Sequence, residues 1–217
     1  MIFTIPDLFS PEAVADLVDK LEAAEVIDGK TTAGWHAKTV KNNQQLARQS
    51  AEPLIAQVRQ TLGAHPLFQA AARPRRVHTI RFNRYAHGMS YGRHTDNALM
   101  NGYRSDLSFT LFLSDPKTYE GGELSVEGLD SDRTYKLTAG SAIVYPSSSL
   151  HSVEPVTQGV RWAAIGWIQS LVRSHEQREI LFELDTVRRS LFNQYGKTNE
   201  FDLVSKSLSN LLRQWVE

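Results

Sequence analysis

The chain has 217 residues, 41% of them hydrophobic, and its 24 Lys and Arg balance 24 Asp and Glu to give a formal net charge of zero. That is enough for one sizeable domain with a packed core, and it lacks the basic excess that duplex nucleic acid demands. There is no cysteine, which removes disulfides, thiolate nucleophiles, zinc ribbons and Cys-bound iron–sulfur clusters together and leaves any metal to His, Asp or Glu. No run of about 18 apolar residues is present, so no membrane helix is expected. The opening MIFTIPDLFSPE lacks the positive n-region and long apolar h-region of a secretory signal, so the cytoplasm is the expected location.

Ser10-Pro11-Glu12 has the form of a helix start, with serine at the N-cap and proline at the first helical position. Val14, Leu17, Val18 and Leu21 continue an apolar stripe at helical spacing to about Val26. A second helix is predicted over about 44–62, with a kink or break at Pro53. Both helices are expected to buttress another layer. From Arg76 the period changes to two: Val77, Thr79 and Arg81 alternate with His78, Ile80 and Phe82. Strand-like runs follow at 107–113, 123–126, 134–137, 141–145 and 160–168. Turn signals separate them, including Ser114-Asp115-Pro116, Gly121-Gly122, Ala139-Gly140, Pro146-Ser147 and Gln158-Gly159. Many short strands at this spacing indicate a sandwich or barrel of the jelly-roll type. From about Ser174 helical spacing returns through Ile180, Leu181, Leu184, Val187 and Leu191, and again through Leu203, Val204, Leu208, Leu211 and Leu212.

The expected fold is therefore α+β with a mainly β core, a double-stranded β-helix (jelly roll) with N-terminal buttressing helices and a small helical C-terminal appendage. The expected division is 1–76 as a helical and mixed support region, 77–172 as the β core and 173–217 as the appendage. The appendage would either form a dimer interface, making the protein a homo-oligomer, or cover one sheet.

His94-Thr95-Asp96 is the most informative motif. On an extended strand residues i and i+2 project to one face, so the pair can chelate one ion. An H-x-D alone also arises as a loop cap beside a turn, so context decides. His151 follows a Pro-Ser-Ser-Ser turn at the start of an apparent strand, where a rolled sheet can return it beside the pair. Two histidines and one carboxylate hold a non-haem iron(II) on one face and leave three cis positions open. Arg161 lies ten residues past His151, in the otherwise apolar run Val160-Arg161-Trp162-Ala163-Ala164-Ile165. A hairpin through Gln158-Gly159 would bring it back to the barrel mouth. A charge in such a run needs a partner; a structural salt bridge or a bound dicarboxylate would supply one, the latter through two parallel hydrogen bonds.

The other histidines rank below these. His87 lies close enough in sequence to touch substrate, whereas His36, His65, His78 and His175 suit surface or packing positions. His175-Glu176 begins like a zincin motif but has Glu179 where the second histidine belongs. Gly29-Lys30-Thr31 and Gly196-Lys197-Thr198 lack the earlier glycine of a phosphate loop. Residues 97–104 suit a lip over the site, with Leu99, Met100 and Tyr103 towards substrate, or an ordinary surface loop.

The segment Tyr85-Ala86-His87-Gly88-Met89-Ser90-Tyr91-Gly92-Arg93-His94-Thr95-Asp96 resembles the prolyl and lysyl hydroxylase branch of the iron(II)/2-oxoglutarate oxygenases. Tyr119-Glu120-Gly121-Gly122-Glu123-Leu124, the stretch from Ala139 to Pro146 and the stretch from His151 to Arg161 extend the likeness. Their order is similar to that of the bacterial PKHD-type hydroxylases, a subfamily sometimes linked with iron uptake. Asp28 to Gly34, Lys41 to Leu46 and Arg178 to Asp185 fit that subfamily too, so the resemblance covers nearly the whole chain. It implies His94, Asp96 and His151 as catalytic iron ligands, Arg161 on the distal carboxylate of 2-oxoglutarate and Tyr85 as a second cosubstrate contact. A core tyrosine with its hydroxyl paired is the ordinary alternative for Tyr85.

The implied cofactors are Fe(2+), 2-oxoglutarate and O2, with L-ascorbic acid as an optional addition. The implied reaction hydroxylates a peptidyl proline or lysine or a small metabolite, releasing succinate and CO2, with no nucleic acid or membrane partner. Two other functions stay open on the residues alone. One is a cupin-like metal-dependent hydrolase or isomerase, which would leave Arg161 without a specific task. The other is a non-catalytic metal-binding module.

Overall fold

The computed structural model describes residues 1–217. Strand β1 (Phe3–Ile5) precedes helix α1 (Pro11–Glu22), whose N-cap Ser10 accepts the Ala13 backbone N–H at 3.3 Å. The helix stops short of Val26, because the β-branched pair Val26-Ile27 enters β2 (Val26–Asp28). Strand β3 (Lys41–Asn42) follows, and β4 (Gln44–Leu46) occupies what was expected to be the start of the second helix. That helix is α2 (Arg48–Ala64); it runs on through Pro53, and a short α3 (Pro66–Ala72) follows.

The β region then unrolls as β5 (Pro74–Tyr85), β6 (Ser90–His94), β7 (Leu99–Met100), β8 (Tyr103–Arg104), β9 (Leu107–Phe112), β10 (Tyr119–Gly121), β11 (Leu124–Val126), β12 (Arg133–Tyr135), β13 (Ala142–Pro146), β14 (His151–Val153), β15 (Val156–Gly159) and β16 (Arg161–Ser170). Helices α4 (His175–Tyr195) and α5 (Asn199–Trp215) end the chain.

Two antiparallel sheets form the jelly roll. The larger runs β1-β13-β9-β16-β5-β4-β2 and the smaller β12-β11-β14-β6-β3. Alternation along each strand of the larger sheet separates two cores. Its outer face carries Ile80, Phe82, Phe109 and Leu111 against Val14, Leu17 and Leu21 of α1 and Val58 and Leu62 of α2. Each fully buried Val or Leu there contributes roughly 1.5–3 kcal/mol. Its inner face carries Tyr85, Phe112, Ile143 and Tyr145 against Leu124, Val126 and Val153 of the smaller sheet. The helices thus back the large sheet and leave the space between the sheets for a site. Strands from the first 46 residues extend both sheets, so this segment is woven into the barrel as well as packed on it.

At the C-terminus α4 and α5 pack around Val172, Leu181 and Leu208. Ser174 caps α4 by accepting the Gln177 N–H at 3.2 Å. Val216 bridges back to Val172, and Arg104 donates to the Glu217 carboxylate at 2.6 Å. No helix is long and apolar enough to cross a membrane.

Candidate metal and cosubstrate site

His94 closes β6 and His151 opens β14; these strands are neighbours, and the two residues stand directly opposite each other. Their ring centroids are 4.3 Å apart. Asp96 lies two residues beyond the end of β6, so strand geometry does not aim its carboxylate as the spacing predicted. Ser108 of β9 does so instead, donating its hydroxyl to Oδ2 at 2.6 Å, and the Ser147 hydroxyl lies 2.8 Å from that of Ser108. One donor atom from each of His94, Asp96 and His151 falls within 4.8 Å of the others.

Both imidazoles present the same nitrogen. Nδ1 of His94 lies 2.8 Å from the Gly92 carbonyl, and Nδ1 of His151 lies 3.0 Å from the Ser149 carbonyl. A carbonyl only accepts, so each Nδ1 carries the hydrogen and each Nε2 lone pair is free. Tyr91 stacks on His94 with centroids 3.6 Å apart. Burial, reinforced by neighbouring His151, pushes His94 down to about 4, which keeps it neutral as a metal donor must be.

Arg161 is the first residue of β16 and is only 1% exposed. It stands opposite Tyr85 of β5, with its guanidinium carbon 5.3 Å from the Tyr85 ring and 5.3 Å from the Phe112 ring. The expected hairpin does not hold it: β15 pairs with β10, and β16 lies in the large sheet between β5 and β9. Nε and Nη2 of Arg161 have no hydrogen-bond partner. A buried guanidinium left in that state is costly, so the position suits an anion brought from outside. Burial raises the Tyr85 hydroxyl and Arg161 opposes the rise, so Tyr85 is a neutral donor.

These five side chains line one cavity of about 320 Å³ between the sheets. Its rim takes Thr32 and Gly34 from the short turn after β2, and Leu99 and Met100 from β7. Tyr103 turns away and lies against Arg76, with 4.3 Å between the guanidinium and the ring. His87 is exposed, 2.7 Å from the Thr157 carbonyl and outside the cavity. His36, His65, His78 and His175 do not join the cluster.

Sequence reasoning missed Ser108, Lys41 and Arg81. Ser108 and Thr110 had a signal, since they are the polar positions alternating with Leu107, Phe109 and Leu111 in β9. Arg81 sits in Ile80-Arg81-Phe82, where the reasoning applied to Arg161 holds equally. Lys41 had no periodicity to mark it, because β3 is two residues long. Burial, then repulsion from Arg81, lowers Lys41 to about 8.

A jelly roll gathering two imidazoles, one carboxylate and an unpaired buried guanidinium in one cavity has the parts of an oxygenase that takes iron(II) and 2-oxoglutarate. Residues 80–169 match the model of the 2OG-Fe(II) oxygenase superfamily. A PKHD-type hydroxylase of Picosynechococcus sp. is 60% identical over the full length of both chains, and one of Acaryochloris marina is 59% identical over the same span. A Pseudomonas putida prolyl-4-hydroxylase shares the fold at 18% identity, with a TM-score of 0.56 over 78% of this chain and 92% of that one. The chain belongs to the PKHD-type hydroxylases of the 2OG-Fe(II) oxygenase superfamily. It is an enzyme, a dioxygenase that uses Fe(2+), 2-oxoglutarate and O2 to hydroxylate a substrate not yet identified.

Proposed function

We propose that His94, Asp96 and His151 hold the iron, that Arg161 binds the distal carboxylate of 2-oxoglutarate, and that Tyr85 flanks the same cosubstrate. The observation that carries this reading is Arg161, 1% exposed, with Nε and Nη2 unpaired. When bound, iron(II) and 2-oxoglutarate supply dioxygen activation coupled to decarboxylation, yielding succinate, CO2 and a hydroxylated product. The chain's own residues do the rest. His94 and His151 are oriented by the Gly92 and Ser149 carbonyls, which hold each Nδ1 and leave each Nε2 as the nitrogen for the metal. Ser108 holds the Asp96 carboxylate by its Oδ2 atom. Arg161 and Tyr85 orient the diacid from the closed end, where Phe112 and Ile143 exclude water. Substrate enters past Leu99 and Met100.

The 77–172 segment carries the chemistry, with 1–76 and 173–217 as support and appendage. The substrate is a small molecule or a peptide, and the enzyme works in the cytoplasm. A hydrolytic centre on the same triad would leave Arg161 without a partner. Anaerobic titration of the apo-protein with iron(II) and then 2-oxoglutarate tests the assignment. The weak visible charge-transfer band of the chelate should appear in the wild type and fail in Asp96→Ala. A band of normal strength in Asp96→Ala would overturn the triad.

A further inference from the structure

Two cations in the cavity have no task in the scheme above. Lys41 is 3% exposed, and its ammonium makes a single long hydrogen bond, 3.3 Å to the Thr32 hydroxyl. Arg81 donates to the Thr32 carbonyl at 3.2 Å and lies 5.7 Å over the Trp167 ring. Neither forms a salt bridge, although a buried ammonium with two unfilled donors is costly.

Their position separates them from the cosubstrate. Arg81 and Tyr85 both line the cavity from β5, four residues apart, which is about 13 Å at roughly 3.3 Å per residue. Arg161 stands opposite Tyr85, whereas Arg81 stands opposite Ile165. Arg81 is therefore at the mouth end, under the Thr32–Gly34 rim, and lines the same cavity wall as Tyr91 and Asp96. Lys41 reaches the same end from the smaller sheet, where it pairs opposite Tyr91.

Charge makes the second point. The charged residues lining the cavity are Lys41, Arg81, Arg161 and Asp96, three cations against one anion. Iron(II) and the 2-oxoglutarate dianion cancel each other when both are bound, so the excess of positive charge remains. An anionic group entering last would meet it.

We propose that the substrate carries an oxyanion group, a carboxylate or a phosphate, which Lys41 and Arg81 clamp at the mouth end of the cavity. The clamp fixes the distance between that group and the C–H bond presented to the metal, and so sets specificity for acidic substrates over neutral ones. This rests on the assignment of Arg161 to the cosubstrate.

The test uses wild-type protein loaded with iron(II) and 2-oxoglutarate under anaerobic conditions. It is titrated by calorimetry with inorganic phosphate, with N-acetylglutamate amide and with its uncharged counterpart N-acetylglutamine amide. At least one oxyanion should bind about tenfold or more tighter than the neutral amide, the scale of one charge-assisted hydrogen bond. Preference for phosphate marks a phosphorylated substrate, and preference for the glutamate derivative marks a carboxylate. Lys41→Met and Arg81→Met should each erase the preference, and Lys41→Arg should retain it. In all three the 2-oxoglutarate affinity, read from the visible band, should stay within about twofold of wild type, since no bond to the diacid is lost. Equal binding of charged and neutral probes by the wild type would overturn the proposal, as would a preference that survives both methionine substitutions. Loss of 2-oxoglutarate affinity in Arg81→Met equal to that in Arg161→Met would move Arg81 to the cosubstrate and overturn it too. A wild-type sample that never develops the band would instead sink the role of Arg161, while its calorimetric anion preference still tests Lys41 and Arg81.

Discussion

His94 and His151 face each other across the β6–β14 pair in direct register. Directly opposed residues in an antiparallel pair project to the same face with Cβ atoms about 4.5–5.5 Å apart. Two imidazole donors therefore converge without help from a loop. The third donor is arranged differently: Asp96 stands outside the strand, and its anchor, Ser108, belongs to the opposite sheet. The site thus ties the two layers of the barrel together, the imidazoles from one and the carboxylate's anchor from the other.

That division predicts graded losses. Asp96→Ala removes the sole anionic donor and should reduce succinate formation by more than the roughly 100-fold that outer-shell substitutions reach. Ser108→Ala leaves all three donors but frees the carboxylate, so iron affinity should fall roughly 10- to 100-fold. Iron titration monitored by competition with a chelator separates the two. Wild-type affinity in Ser108→Ala would mean that the 2.6 Å bond does not position Asp96.

Arg161→Met keeps the aliphatic stem beside Tyr85 and Phe112 while removing the fork. Each charge-assisted hydrogen bond lost costs about 1.5–3 kcal/mol, so 2-oxoglutarate should bind roughly 10- to 150-fold more weakly for each bond. Iron affinity should hardly change, because no atom of Arg161 belongs to the donor cluster. Parallel loss of both affinities would indicate a disturbed fold and remove the assignment.

Much of this was legible in the sequence because it depends on local periodicity. The Ser10 cap could be read directly, and so could the separation of His94, Asp96, His151 and Arg161 along the chain. The alternation in β5 holds from Ile80 onward, but an irregularity at Thr79, whose φ is +53°, puts Val77 on the same core face as Ile80 and Phe82. Much of what failed depends on a distant partner. Residues 44–46 have helical neighbours on one side, yet Gln44 and Gln45 pair with Arg84 and Asn83 of β5, and tertiary pairing wins over propensity. The expected β15–β16 hairpin failed for the same reason, since β15 finds β10 rather than its neighbour in sequence. Ser108 as the anchor of Asp96 is a contact between two sheets, which no spacing along one chain announces.

The low proton affinity of His94 gives the apo-protein a pH dependence of definite sign. Its folded value of about 4 lies below the ordinary 6.5, so the unfolded chain binds more protons across that interval. The resulting stability is fully present above about 6.5 and is lost as pH falls towards 4, up to about 3 kcal/mol in all. Urea unfolding of chelator-treated protein at pH 7 and at pH 4.5 should show this loss, and His94→Gln should show correspondingly less of it. Identical pH slopes in the two proteins would contradict the buried, neutral state of the ring.

Gly122 links the backbone of the β10–β11 turn to the cosubstrate end of the cavity. Its φ is +68°, which side-chain-bearing residues adopt at a cost of about 1–2 kcal/mol. A Cβ there would lie 3.0 Å from Cδ of Arg161 and 2.9 Å from Cγ2 of Val156. Gly122→Ala should therefore do two things, lowering thermal stability and pushing the Arg161 stem so that KM for 2-oxoglutarate rises several-fold. Gly140→Ala provides the contrast. Its φ is +89° and its new Cβ would meet the Phe9 carbonyl oxygen at 2.4 Å, on the helix-backed side of the large sheet. It should cost stability and leave KM for 2-oxoglutarate unchanged. Steady-state kinetics with 2-oxoglutarate as the varied reactant, alongside thermal unfolding, distinguish strain at a turn from displacement of the guanidinium. If both variants unfold earlier and neither changes KM, Gly122 serves the turn alone and Arg161 is held without it.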